Sequence, residues 1–146
     1  MDMRQLTTRY FVSPQIVPED LQAIADAGFT SVICNRPDTE IPPAVQAEAI
    51  RAAAEAAGVA FHVLPLTHQT MTPQNTDRQR AILDASDGPV LAYCASGTRS
   101  SVIWALGQAG SLSADDILAA TARAGYALDA MRPMLEAAAR QGGSSA

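Results

Sequence analysis

Apolar residues along the chain come in two kinds of run. Blocks of about five, rich in β-branched and aromatic side chains, read as strands, and longer stretches with apolar positions three and four apart read as helices. Thr8–Val12 (TRYFV) is the first strand, stopped by Ser13 and Pro14. Pro18-Glu19-Asp20 suits the first turn of a helix with Leu21, Ile24 and Ala25 as its buried stripe and Gly28 as its stop. Thr30–Cys34 is apolar enough for a buried strand, and it empties into the turn-rich Asn35-Arg36-Pro37-Asp38. An alanine-rich helix over 44–57 closes at Gly58, and Val59–Leu64 is the next strand, ended by Pro65. Thr72-Pro73 reads as an N-cap followed by proline at the first helical position, with the helix running to about Ser86.

After the Asp87-Gly88 turn, Pro89–Tyr93 forms a fourth strand. The segment CASGTRSS then leads into the apolar run Val102–Leu106, in which Val102 and Trp104 read as core. Ser113 with Asp116 three residues on marks another helix start. A last helical stretch from about Tyr126 contains Pro133, which should kink or restart it. Strands alternating with helices predict an α/β fold: a mainly parallel sheet of four to five strands with helices on both faces. Residues 1–140 form one domain in this reading, and 141–146 (QGGSSA) a flexible tail. Ligands of such sheets sit beyond the C-terminal ends of the strands, where Asn35–Asp38, Pro65–Thr70 and Cys94–Ser100 all fall.

Composition narrows the partners. The 146 residues are 48% hydrophobic and carry a net charge of −5, with 10 arginines and no lysine against 15 acids. This balance argues against nucleic acid or an anionic membrane as partner. The start, MDMRQLTTRY, lacks a secretory pattern, so a cytoplasmic chain is expected. Two cysteines far apart, Cys34 and Cys94, fit neither a zinc site nor a disulfide scaffold, so no metal and no organic cofactor is implied.

The chemistry concentrates after the fourth strand. In Cys94-Ala95-Ser96-Gly97-Thr98-Arg99-Ser100 a small-residue loop follows a cysteine and precedes a helix. Loop amides and the helix's positive end can converge on an anion. Gly97 supplies a position without Cβ, and Arg99 can fork two hydrogen bonds onto an oxyanion. The same field favours a thiolate at Cys94, making it a surface nucleophile to which Ser100 could donate. Ala95, Ser96, Gly97, Thr98 and Ser100 are thus expected to bind substrate. The alternative is a buried strand end followed by a solvated arginine.

The stretches SVICNRPDTE, GVAFHVLPLTHQTMTPQ and PVLAYCASGTRSSVIWAL resemble the bacterial β-lactamase-hydrolase-like family with a phosphatase-like domain, a family also described as sulfurtransferases of sulfide metabolism. The resemblance runs from about Arg9 to Arg132. It implies a fold similar to dual-specificity phosphatases, with Cys94 as nucleophile and Arg99 as anion binder. Two departures from the phosphatase pattern stand out. Four residues, not five, separate Cys94 from Arg99, and Tyr93 replaces the preceding histidine. The shorter loop is similar to that of rhodanese-like enzymes, which hold a persulfide. Dual-specificity phosphatases also carry a general-acid aspartate about thirty residues before the cysteine, yet Leu64–Thr70 has no carboxylate. Such an acid contributes about 10²–10⁴-fold. Asp77 and Asp87 are misplaced for the role, leaving Asp38 as the acid expected near the mouth.

These counts favour a sulfurtransferase: Cys94 takes sulfane sulfur from a small anionic donor as a persulfide and passes it to an acceptor thiol. The alternatives are a phosphatase acting through phosphocysteine on a small phosphate substrate, and a non-enzymatic persulfide sensor or anion-binding module. Oligomeric state is left open. Among the remaining residues, Arg36 is either a second cation or paired with Asp38 in a turn. His68 either shuttles a proton and reads substrate or is solvated, and His62 is packed within its strand. Cys34 is buried core or a resolving thiol. Arg78 and Arg80 form a solvated helix face.

Overall fold

The computed structural model describes residues 1–144. Its five-stranded sheet has the order β1-β2-β5-β3-β4. The strands are β1 (Arg4–Gln5), β2 (Tyr10–Ser13), β3 (Ser31–Cys34), β4 (Ala60–Val63) and β5 (Val90–Tyr93). The helices are α1 (Leu21–Asp26), α2 (Ala47–Ala57), α3 (Pro73–Ala85), α4 (Thr98–Gln108), α5 (Ala114–Arg123) and α6 (Arg132–Ser144). Only β1 is antiparallel, to β2; the other four strands are parallel. This is the α/β architecture the alternating pattern implies.

The pleat explains why these strands read as continuous apolar runs. Val90 and Ala92 face one core, with Leu83 of α3, Trp104 of α4, Ile117 of α5 and Leu135 of α6. Leu91 and Tyr93 face another, with Ile24 of α1 and Ile50 of α2. Successive side chains therefore alternate between two dry layers instead of between core and water. Strand β5 lies between β2 and β3, so the residue after it emerges at the middle of the sheet.

Differences from the sequence reading are one added edge strand and shifts at element ends. The first paired strand is β1, whose two residues carry no periodicity, and β2 begins at Tyr10 instead of Thr8. A 3₁₀ turn over Pro18–Asp20 precedes α1, and another over Pro43–Val45 precedes α2, each with proline at its first position, where a missing N–H costs no helical bond. Gly58 caps α2 at φ 78°, as expected. Thr72 accepts from the amide of Asn75 and Ser113 from that of Asp116, so both predicted N-caps hold. Pro133 marks a restart and not a kink: after a 3₁₀ turn over Asp129–Met131 it is the second residue of α6, where its missing N–H has no partner to lose. α6 continues to Ser144, into the segment read as a tail, whose residues 145–146 lie outside the described residues. Among the described residues no helix is long and apolar enough to cross a membrane.

Candidate functional site

The C-terminal strand ends are tied together by backbone hydrogen bonds that continue past the sheet. Cys94 donates to the carbonyl of Ser13 (3.4 Å), Asn35 to that of Tyr93 (2.8 Å) and Leu66 to that of Asn35 (2.9 Å). The three segments singled out in the sequence therefore meet. Glu40, Thr67, His68, Ala95, Ser96, Thr98 and Arg99 line one cleft of about 430 Å³.

The loop after β5 folds back on its own cysteine. Gly97 N–H donates to Cys94 Sγ at 3.1 Å, placing a fixed positive dipole on the sulfur. Gly97 holds φ at 95°, and a Cβ there would collide with the Tyr126 hydroxyl, so glycine is required on two counts. Tyr126 donates to Ser96 O (2.9 Å), and Ser101 Oγ to Gly97 O (2.8 Å), which locks the carbonyls outward. In α4's first turn the Thr98 N–H donates to Ser96 Oγ (3.4 Å), and those of Arg99 and Ser100 have no intrahelical acceptor.

Cys94 is not a surface thiol, as the sequence suggested. It is 1% exposed, with the Gly97 amide of its own loop folded onto the sulfur. Nor does Ser100 serve the sulfur: its hydroxyl donates to Asn35 Oδ1 at 2.8 Å. Asn35 also donates to Leu64 O and to Gln79 Oε1, while Gln79 donates to Tyr10 Oη and to Asn35 Oδ1. Tyr10 closes the circuit on Ser100 O (2.8 Å). These buried polar groups lock the root of α4 against the strand ends.

Arg99 reaches the cleft with its side chain 13% exposed. Nη1 donates to Leu66 O (2.8 Å) and Glu40 Oε2 (2.9 Å), and Nη2 to Glu40 Oε1 (2.8 Å). The Arg99 hydrogen bond, reinforced by Arg36, holds the Glu40 carboxyl below its usual range, and Glu40 in turn raises Arg99.

The carboxylate that lines this cleft is Glu40 and not Asp38. Asp38 is exposed and its Oδ1 accepts from Ala47 N at 2.9 Å, capping α2. Arg36 pairs with Glu40 (3.2 Å) rather than with Asp38, and donates to Gln15 Oε1 at 3.3 Å. His68 is exposed on the cleft wall. Cys34 is fully buried against β5, its thiol pushed up first by burial. His62 is half-buried on β4, Trp104 is core, and Val102 is only half-buried. Arg80 is not simply solvated, since it bonds Gly107 O and Ser111 Oγ from α3.

Sequence reasoning missed Glu40, Gln79 and Tyr126. A glutamate two residues past Asp38 in the same turn segment was the available signal for Glu40. Gln79 carried no such signal, since its helical neighbours are Asn75 and Thr76 on one side and Ile82 and Leu83 on the other.

The profile of the family described as "Beta-lactamase hydrolase-like protein, phosphatase-like domain" matches residues 2–111. The β-lactamase hydrolase-like protein of Agrobacterium fabrum is 30% identical over 115 residues, 77% of this chain and 27% of that protein. The chain thus spans about a quarter of the length of the curated relatives it matches. A phosphatase candidate from Neisseria meningitidis Z2491 superposes with a TM-score of 0.83 at 33% identity, covering 94% of this chain and 99% of that one. TpbA of P. aeruginosa, in a Cys-to-Ser form holding phosphotyrosine, superposes with a TM-score of 0.57 at 17% identity, covering 92% and 90%, and shares the fold alone.

Proposed function

Because the chain belongs to the β-lactamase-hydrolase-like, phosphatase-like domain family, we propose that it hydrolyses phosphomonoesters through a phosphocysteine on Cys94. The observation that carries this reading is the Gly97 amide on Cys94 Sγ, with the Arg99 guanidinium interacting with the same sulfur: one loop can support both a sulfur anion and a phosphoryl group. The family description and the name of the Neisseria protein point to phosphoryl chemistry and not to the sulfur transfer expected from loop length.

In the first step the Cys94 thiolate attacks phosphorus, and the ester P–O bond breaks with its electron pair going to the departing oxygen. Arg99 and the loop amides bind the equatorial oxygens, where charge is carried in the transition state. Glu40 is kept ionised by its arginines and cannot give that oxygen a proton. His68, the imidazole on the cleft wall, supplies that proton in this reading. In the second step water returns a proton to His68 and attacks phosphorus. The S–P bond breaks, releasing phosphate and the thiolate, which the Gly97 N–H stabilises as a leaving group.

Phosphotyrosine, the ligand that TpbA holds, is the first substrate to offer, beside thiosulfate with cyanide as acceptor. Wild type should release phosphate, Cys94→Ser should not, and intact mass after rapid quenching should show a phosphoryl adduct. Thiocyanate formation with a sulfur adduct and no phosphate release would overturn the reading in favour of sulfur transfer.

A further inference from the structure

The proton inventory of Arg99 carries one step more, resting on the phosphatase reading. A guanidinium has five N–H bonds. Both on Nη1 are taken, by Leu66 O and Glu40 Oε2, and one on Nη2 is taken by Glu40 Oε1. The other two, Nε–H and the second Nη2–H, have no oxygen partner, and the guanidinium interacts with the Cys94 sulfur. These two N–H groups lie side by side on one edge, the fork that matches two oxygens of a phosphoryl group. Glu40 is itself braced: Arg36 Nε donates to its Oε1 at 3.2 Å, and Arg36 Nη1 donates to Gln15 Oε1 at 3.3 Å. The Gln15 side chain is anchored in turn on Ile16 O (2.8 Å) and Val45 O (3.4 Å), and its backbone N–H on Ala95 O (3.4 Å) of the cysteine loop.

We propose that Glu40 is a positioning residue, whose carboxylate takes the outer edge of Arg99 and so presents the inner Nε/Nη2 edge to a phosphoryl group above Cys94. In this arrangement Glu40 does not compete with substrate, since it uses the end of the guanidinium and leaves the side free. Without that hold the Leu66 carbonyl is the only oxygen that fixes the guanidinium, at one nitrogen, and its fork would be ordered fully only on binding, at a cost to affinity and to transition-state alignment.

Binding of inorganic phosphate by titration calorimetry reads this without needing turnover, so it survives a failure of the phosphatase reading. Measured in a Cys94→Ser background, Glu40→Gln should weaken phosphate roughly tenfold, and Arg36→Met should weaken it less and in the same direction. In the Arg99→Lys background Glu40→Gln should have no further effect, a non-additivity that general destabilisation would not produce. With Cys94 intact, kcat for an aryl phosphate should fall by more than KM rises, because the fork must hold hardest in the transition state. Tighter phosphate binding in Glu40→Gln would mean that the carboxylate blocks the site, and unchanged binding would mean that it does not orient Arg99. Either result overturns the proposal. Glu40 is a third exposed, so the variant should retain its thermal unfolding midpoint, and Arg36→Met gives an independent reading if it does not.

Discussion

The hydroxyl of Tyr126 occupies the space that a Cβ on Gly97 would need, while donating to the neighbouring Ser96 carbonyl at 2.9 Å. The tyrosine, brought from beyond α5, thus moulds the loop over Cys94 from outside. Gly97→Ala meets both this contact and a positive φ, and should cost about 2–5 kcal/mol of stability. Its phosphate release should fall to the level of Cys94→Ser. Tyr126→Phe removes only the hydrogen bond, for about 1 kcal/mol and a few-fold loss of activity. Denaturant melts and a phosphate-release assay on the two variants check both statements.

All three tyrosines of the chain are buried, and burial is the first cause raising the pKa of each. An acid whose folded pKa exceeds its unfolded value contributes stability that is complete below the unfolded pKa. That contribution disappears as pH rises through the folded one. The unfolded value is about 10. Absorbance near 295 nm should therefore show tyrosinate at about pH 10 in guanidinium, yet none there in buffer, where ionisation should arrive together with unfolding. A native titration that ionises two or more tyrosines at about pH 10 would contradict the burial described here.

The elements and the cysteine loop were legible in the sequence because their signals are local. Alternating and 3.6-residue periods, caps three residues long and the Cys94-to-Arg99 loop each fit within one short window. What the loop is for depended on partners far along the chain. Glu40 lies 59 residues from Arg99, Tyr126 30 from Ser96, and Gln79 44 from Asn35. No window contains such pairs. Asp38 and Glu40 illustrate the limit: two acids two residues apart in one turn segment, one capping α2 and the other gripping Arg99, distinguished only by where the 3₁₀ turn over Asp38–Glu40 points them. The thiol's depth was equally hidden, since nothing in the loop's composition says that the Gly97 amide folds onto the sulfur.

The circuit Tyr10–Ser100–Asn35–Gln79 is buried and polar, so removing one member leaves others without partners. Asn35→Ala strands the Ser100 hydroxyl and the Gln79 amide, and should cost about 2–4 kcal/mol. Gln79→Ala should cost a comparable amount, and the double variant clearly less than the sum. Chemical denaturation of the two single variants and the double supplies the comparison. Full additivity would show that these residues act separately.

Asp38 offers the sharpest contrast between position in sequence and role in structure. Its carboxylate accepts from the first amide of α2, an arrangement that needs an oxygen acceptor and not a proton. Asp38→Ala should lower stability by about 1 kcal/mol and leave kcat/KM within about twofold of wild type. Asp38→Asn keeps an acceptor at the cap, so it should match wild type in both measurements and in the shape of the pH–rate profile. A general acid would respond in the opposite way. Both variants would lose the protonated carboxyl and slow poor leaving groups by about 10²-fold or more, with the basic limb of the profile abolished. Rates with an alkyl and an aryl phosphate across the pH range separate these outcomes, and a deep, leaving-group-dependent loss in Asp38→Asn would return the acid's role to this residue and remove it from His68.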